Sequence, residues 1–179
     1  MARQPDYRNL EQRLNYQFKD AVLLKEALTH RSAHSRNNER LEFLGDSILN
    51  FVIAAELFRL YPASAEGDLS RLRASLVSKT GLYQVSTQLQ LGDYLILGSG
   101  ELKSGGFRRN SILADTVEAI IGAVYLDSGF EASRQLILQL YTDQIKNIPD
   151  VNDLKDAKTR LQELLQSRKL ALPDYNVVE

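Results

Sequence analysis

The stretch SILADTVEAIIGAVYLD, residues 111–127, decides how the rest of the chain is read. Placed on a helix, it is apolar on almost every side. Between Ile112 and Leu126 only Asp115, Thr116 and Glu118 are clearly polar. A helix of this kind belongs inside a domain. Asp115 and Glu118 are three residues apart and therefore share a face, flanked there by Ala119, Gly122 and Leu126. Two carboxylates buried without a partner are costly or take up protons. The helix offers no histidine, lysine or arginine to neutralise them. A divalent cation such as magnesium or manganese, which favours hard oxygen ligands, meets the need; a structural ion pair is the alternative.

A second acidic face lies upstream in NERLEFLGDSILNFVIAAELF, residues 38–58. At about 100° per residue, Glu39, Glu42 and Asp46 fall within roughly 60° of one another. Leu41, Leu44, Ile48, Phe51, Val52 and Ala55 take the opposite side. None of the three acids has a lysine or arginine three or four residues further on, so their repulsion is uncompensated within the helix. Gly45 sits in the same helix at a cost of about 1 kcal/mol relative to alanine, which close approach by another group would explain. The two faces together could hold one or two magnesium ions. Such a centre ionises water and stabilises a leaving oxyanion, chemistry suited to phosphodiesters. No Ser-His-Asp or Cys-His arrangement competes, and cysteine is absent. His30 and His34 lack the spacing of a metal pair with an acid; His30 is read as a helix C-terminal cap.

The surrounding chain reads as all-α. Asp20 is placed to cap AVLLKEALTH, Asn37 or Asn38 the long helix that stops before Tyr61-Pro62, and Asp68 the helix LSRLRASLV. Further helices fit Thr80–Leu89, 110–127 and 130–147, with Gly129 between the last two. GSGELKSGGFRR, residues 98–109, reads as a glycine-rich loop. Only YLIL at 94–97 and the terminal YNVVE look like strands. IPDVNDLKD, 148–156, reads as a linker, and the helix and strand after it cannot bury a core alone. With 179 residues, 44% apolar and 25% charged, the chain suits one globular domain and a small appendage. No apolar run spans a bilayer and no signal region opens the chain, so a cytoplasmic protein without membrane partners is expected. A net charge of -1 does not announce a nucleic-acid binder, although pooled acids can mask bases elsewhere.

At this point the motifs become recognisable. ERLEFLGDS at 39–47 resembles the signature of the ribonuclease III family of double-strand-specific endoribonucleases. LTHRS at 28–32, EGDLSRLRASLV at 66–77, GSGELKSGGFRR at 98–109 and SILADTVEAIIGAVYLD at 111–127 resemble further family blocks in the same order. KTRLQELLQ at 158–166 is similar to the first helix of the double-stranded-RNA-binding domain that follows the nuclease domain in bacterial members. The resemblance implies the family's helical nuclease domain over residues 1–148, a linker over 149–155, and over 156–179 the start of an α/β RNA-binding domain, cut short.

It further implies magnesium, with manganese as a substitute, held by Glu42, Asp46, Asp115 and Glu118, of which Asp46 and Glu118 are most closely tied to catalysis. Glu39 and Glu66 match auxiliary acids near the cleavage site. Phe43 matches an aromatic plug inserted into the partner subunit of a homodimer. The implied products are 5′-phosphate and 3′-hydroxyl ends with 3′ overhangs, in the processing of rRNA and mRNA precursors. Arg71, Arg73, Lys103, Arg108 and Arg109 are candidate phosphate contacts along an A-form duplex. Gln162 and Gln166 match positions facing the RNA minor groove. Two rivals are an all-α magnesium-dependent nucleotide pyrophosphatase, whose acid pairs lie closer together in sequence, and a non-catalytic RNA-binding relative, which would have lost the acids.

Overall fold

The computed structural model describes residues 7–148, 157–171 and 173. The expected linker 149–155 and the terminal strand YNVVE lie outside them. The chain divides into two compact units, residues 1–147 and 148–179.

The first unit carries nine helices among its described residues: α1 (Arg8–Leu14), α2 (Ala21–Ala27), α3 (Glu39–Leu60), α4 (Glu66–Leu76), α5 (Lys79–Gln88), α6 (Ser99–Lys103), α7 (Asn110–Ser128), α8 (Phe130–Leu140) and α9 (Thr142–Lys146). Helix α7 runs through the centre, with Ala114, Val117, Ala119, Ile120, Ile121, Ala123 and Val124 at most 1% exposed. Helices α2, α3, α5 and α8 all pack on it, α3 most extensively. The all-round apolar character of 111–127 thus has a direct structural cause. No described helix is long and apolar enough to cross a membrane.

Two glycines set the α3–α7 crossing. A Cβ on Gly45 would overlap the carbonyl oxygen of Glu118, and one on Gly122 would overlap that of Leu41. The helices meet backbone to backbone, the close approach that Gly45 implied. Leu41, Ile48 and Val52 of α3 are buried as their helical phase requires, joined by Leu49, Ile53 and Leu57. Phe51 departs from that expectation. It is 62% exposed and meets Phe130 edge to face with ring centroids 5.7 Å apart. Ala55 is exposed as well.

Several termini follow their local chemistry. Asp20 caps α2 by accepting from the Val22 amide at 2.9 Å, and Ser78 caps α5 by accepting from Gly81 at 3.1 Å. Asn38 is the residue before α3, but the side chain that serves the helix start is Asn37, which accepts from the Glu39 amide at 3.0 Å. Gly129, at φ 83°, adopts the left-handed backbone that separates α7 from α8.

Four details differ from the sequence-based expectation. Helix α4 starts at Glu66 after an extended Ala65, so Asp68 does not cap it; Asp68 lies in the first turn, where negative charge suits the helix dipole, and pairs with Arg71 at 2.7 Å. YLIL forms no strand: among the described residues its ladder contact is a single parallel bridge between Ile96 and Thr29. Residues 98–109 fold into α6 and a 3-10 turn, Gly106–Arg108. The helix expected over 130–147 breaks at Tyr141, which is fully buried.

The second unit contains α10 (Ala157–Ser167). Among its described side chains Leu161, Leu164 and Gln166 are exposed, and Leu165 and Gln162 are half-buried.

Candidate metal centre

The α3–α7 crossing brings the two acidic faces together. One carboxylate oxygen from each of Glu42, Asp115 and Glu118 lies within 4.8 Å of the others. Glu118 is only 8% exposed. Its burial, reinforced by the charges of Asp46, Glu42 and Asp115, pushes its pKa up to about 8. Burial, followed by the charges of Asp115 and Glu39, also raises that of Glu42. Asp115 is raised by burial, against the opposing charges of Lys79, His30 and Arg31. Three converging carboxylates, one of them deeply buried and protonated at neutral pH when alone, form a donor set that fits a hard divalent cation.

Asp46 stands outside this group of three, although its charge acts on both Glu42 and Glu118. Its Oδ1 accepts a 2.8 Å bond from Asn50. Glu39 pairs with Arg31 at 3.4 Å. Glu66 opens α4 and accepts a bond from Ser70 at 2.7 Å; it does not belong to the group of three.

A cavity of about 650 Å³ adjoins the carboxylates and is lined by Glu39, Glu42 and Asp115 together with His30, Arg31, Ser32, Ser111 and Arg109. His30 does not cap α2, which ends at Ala27. Its Nδ1 instead accepts from the Ser32 amide at 3.2 Å. Of the basic candidates, Arg109 lines the cavity and pairs with Glu101 at 3.1 Å, while Arg71 engages Asp68. Arg108 lies over the Phe107 ring at 5.0 Å. Lys103 is exposed at the end of α6, and Arg73 is half-buried on α4.

The main omission of the sequence reading is Lys79. It opens α5, and its charge opposes the raised pKa values of Glu42, Asp115 and Glu118. The acid-bearing helices supply no counter-charge, as their sequences indicated. The counter-charges arrive from other elements, and nothing in the local pattern around Lys79 signals that.

These pKa shifts have a thermodynamic consequence. The Glu118 carboxyl titrates near 4.5 in an unfolded chain and near 8 in the fold. Between those values the native state holds the extra proton, so stability is full below the lower value and is lost as pH rises through the upper one. Glu42 and Asp115 act in the same direction. In the presence of a chelator, the melting temperature should fall from pH 5 to pH 8. Magnesium added at pH 8 should restore it by binding the ionised form. Thermal melts with and without magnesium check this, and a chelated protein equally stable at both pH values would contradict it.

An all-helical scaffold that crosses two carboxylate-bearing helices on a pair of glycines defines a class: helical proteins built to hold a hard divalent cation. Comparison with known proteins narrows that class. Residues 20–145 match the family model described as ribonuclease-III-like. The chain is 60% identical to ribonuclease 3 of Marinomonas sp. (strain MWYL1), covering 96% of this chain and 76% of that protein. It is 60% identical to ribonuclease 3 of Bordetella pertussis over 94% of this chain and 66% of that one. Among solved structures, the nuclease domain of Campylobacter jejuni ribonuclease III shares 45% identity at a TM-score of 0.77, covering 79% of this chain and 99% of that one. This chain belongs to the ribonuclease III family.

Proposed function

We propose that the chain is a metal-dependent endoribonuclease that hydrolyses phosphodiester bonds of double-stranded RNA, working as a homodimer with magnesium and leaving 3′ overhangs. The observation that carries this reading is the convergence of Glu42, Asp115 and Glu118 at the glycine crossing. These three side chains and Asp46 are the groups to hold the cation. When bound, magnesium or manganese supplies Lewis acidity toward the phosphoryl oxygen and lowers the pKa of water. Burial of Glu118 among three like charges makes its bare carboxylate unfavourable, so the group either holds a proton or binds a cation. A divalent cation offsets all the neighbouring charges at once where a proton offsets one. Arg31 and Arg109 put positive charge on the cavity wall, where an RNA backbone can be received. Lys103, Arg73, Arg71 and Arg108, and Gln162 and Gln166 of α10, are the further contacts we assign to duplex RNA. Residues 156–179 are assigned to the start of a double-stranded-RNA-binding domain, and processing of rRNA and mRNA precursors is the setting such an activity would serve.

The test is incubation of the purified chain with a long RNA duplex and with the corresponding single strand. Staggered cuts in the duplex that need magnesium and stop with chelator are the expected result. A protein that binds the duplex but cuts neither substrate would favour the non-catalytic relative.

The proposed dimer is supported by an unusual amount of bare aromatic surface on one helix. Phe43 is 78% exposed, Phe51 62% and Phe58 73%, and Leu126 adds 55% on α7. Apolar surface of this kind marks an interface. The solved Campylobacter jejuni nuclease domain was described for flexibility in a region involved in dimer formation. Substituting Phe43→Asp should weaken self-association about thirtyfold or more, the effect of losing a central aromatic anchor. Sedimentation across a concentration series measures this. A variant that associates as tightly as the parent would remove Phe43 from the interface.

A further inference from the structure

His30 lines the cavity, and its hydrogen-bonding role is fixed on one side of the ring. The Ser32 amide donates to its Nδ1 at 3.2 Å, and the Ser32 hydroxyl lies 2.8 Å from the same nitrogen. A backbone N–H can only donate, so Nδ1 is an acceptor, and the proton of the neutral ring is on Nε2. The arrangement is anchored further, because the Gly98 amide donates to the Ser32 hydroxyl at 3.0 Å. That hydroxyl in turn is free to donate to Nδ1. Gly98 also packs so closely on the Ser32 carbonyl that a Cβ there would overlap it. The ring is therefore held at Nδ1 by Ser32, which Gly98 in turn fixes in place. Its Nε2 has no partner among the described residues, and the residue lines the 650 Å³ cavity next to Glu42 and Asp115.

We infer that His30 is a substrate-contacting residue whose Nε2–H donates a hydrogen bond to a phosphate oxygen of the RNA strand seated beside the metal centre. The inference rests on the endoribonuclease reading above and adds a residue to it. An N–H aimed from a rigid ring into a polar cavity is a preorganised donor for a developing or resident negative charge. Neighbouring Arg31 and Arg109 are partly engaged with Glu39 and Glu101, so a donor without a competing partner complements them. His30 shares the cavity wall with Asp115 and Glu42, which places it at the metal end of the cavity.

The test uses His30→Gln, His30→Asn and His30→Ala in the full chain. Glutamine can place an N–H near the position of Nε2, while asparagine can keep the acceptor toward Ser32 but cannot reach as far. His30→Ala and His30→Asn should lower kcat/KM on duplex RNA by about tenfold to a hundredfold, the range for a hydrogen bond to a charged group, and His30→Gln should recover most of it. Combined with Glu118→Gln to prevent cutting, His30→Ala should weaken duplex binding without changing the slope of affinity against salt, since a neutral donor releases no counterion. Manganese affinity of the RNA-free protein, measured by calorimetry, should stay that of the parent. Retention of activity by the asparagine variant with loss in the glutamine variant would show a purely structural role and overturn the inference. So would reduced manganese affinity with unchanged RNA binding. If the parent neither cuts nor binds duplex, the endoribonuclease reading fails first and this one with it.

Discussion

Glu118→Gln is expected to abolish cleavage of duplex RNA, by at least about a thousandfold in kcat, while leaving the protein folded. Glutamine matches the volume of glutamate and removes the charge that burial and three neighbouring acids make unfavourable without a cation. The substitution should therefore stabilise the metal-free protein at pH 8 and above, where the native carboxyl gives up its proton. A cation then loses its most buried ligand, and several kcal/mol of transition-state charge stabilisation go with it. The paired measurement decides the matter: melting temperature in chelator, and single-turnover cleavage with magnesium. If the variant cuts like the parent, Glu118 is not part of the reacting centre. If it is less stable than the parent in chelator at pH 8, the electrostatic account of the cluster is wrong.

The second large effect comes from a residue with no side chain. Gly45→Ala places a methyl group against the Glu118 carbonyl, in space already filled by backbone. Backbone cannot move aside as a flexible side chain can, so α3 and α7 must separate or shift. Overpacking of this kind typically costs about 1–3 kcal/mol, and the rigid obstacle here puts the expected loss at or above the upper end. Separation of the helices also spreads Glu42 from Asp115 and Glu118, so metal affinity should fall together with stability. Denaturant unfolding and manganese calorimetry on the same preparation check both. Full stability in the alanine variant would mean that the helices do not cross this closely.

Much of this was legible from the residues. The buried character of α7, the phase of the acids on α3 and the close contact at Gly45 follow from periodicity and glycine chemistry alone. What stayed hidden depends on elements distant in the chain. Lys79, which tempers three carboxylates, sits in a sequence context no different from a surface lysine. Phe51 shares the helical phase of Val52 and Ile48, and only packing shows that the core ends before reaching it. YLIL failed as a strand because a short apolar run has no period to separate strand from loop. Asp68 misled because an acid inside the first turn and an acid at the cap look alike in sequence. A cap at His30 follows from a helix running through AVLLKEALTH, but α2 ends three residues earlier, at Ala27.

Helix α3 leaves one more consequence. Its 22 residues turn Leu49, Ile53 and Leu57 to the core, Glu42 to the cation site, and Phe43, Phe51 and Phe58 outward. One rigid rod thus serves three readers, and few of its positions are spare. Drift in such a helix is constrained from every side at once, so variation among descendants should collect in the connections and in the outer helices. For anyone attaching a probe or a tag, the rod is the place to avoid.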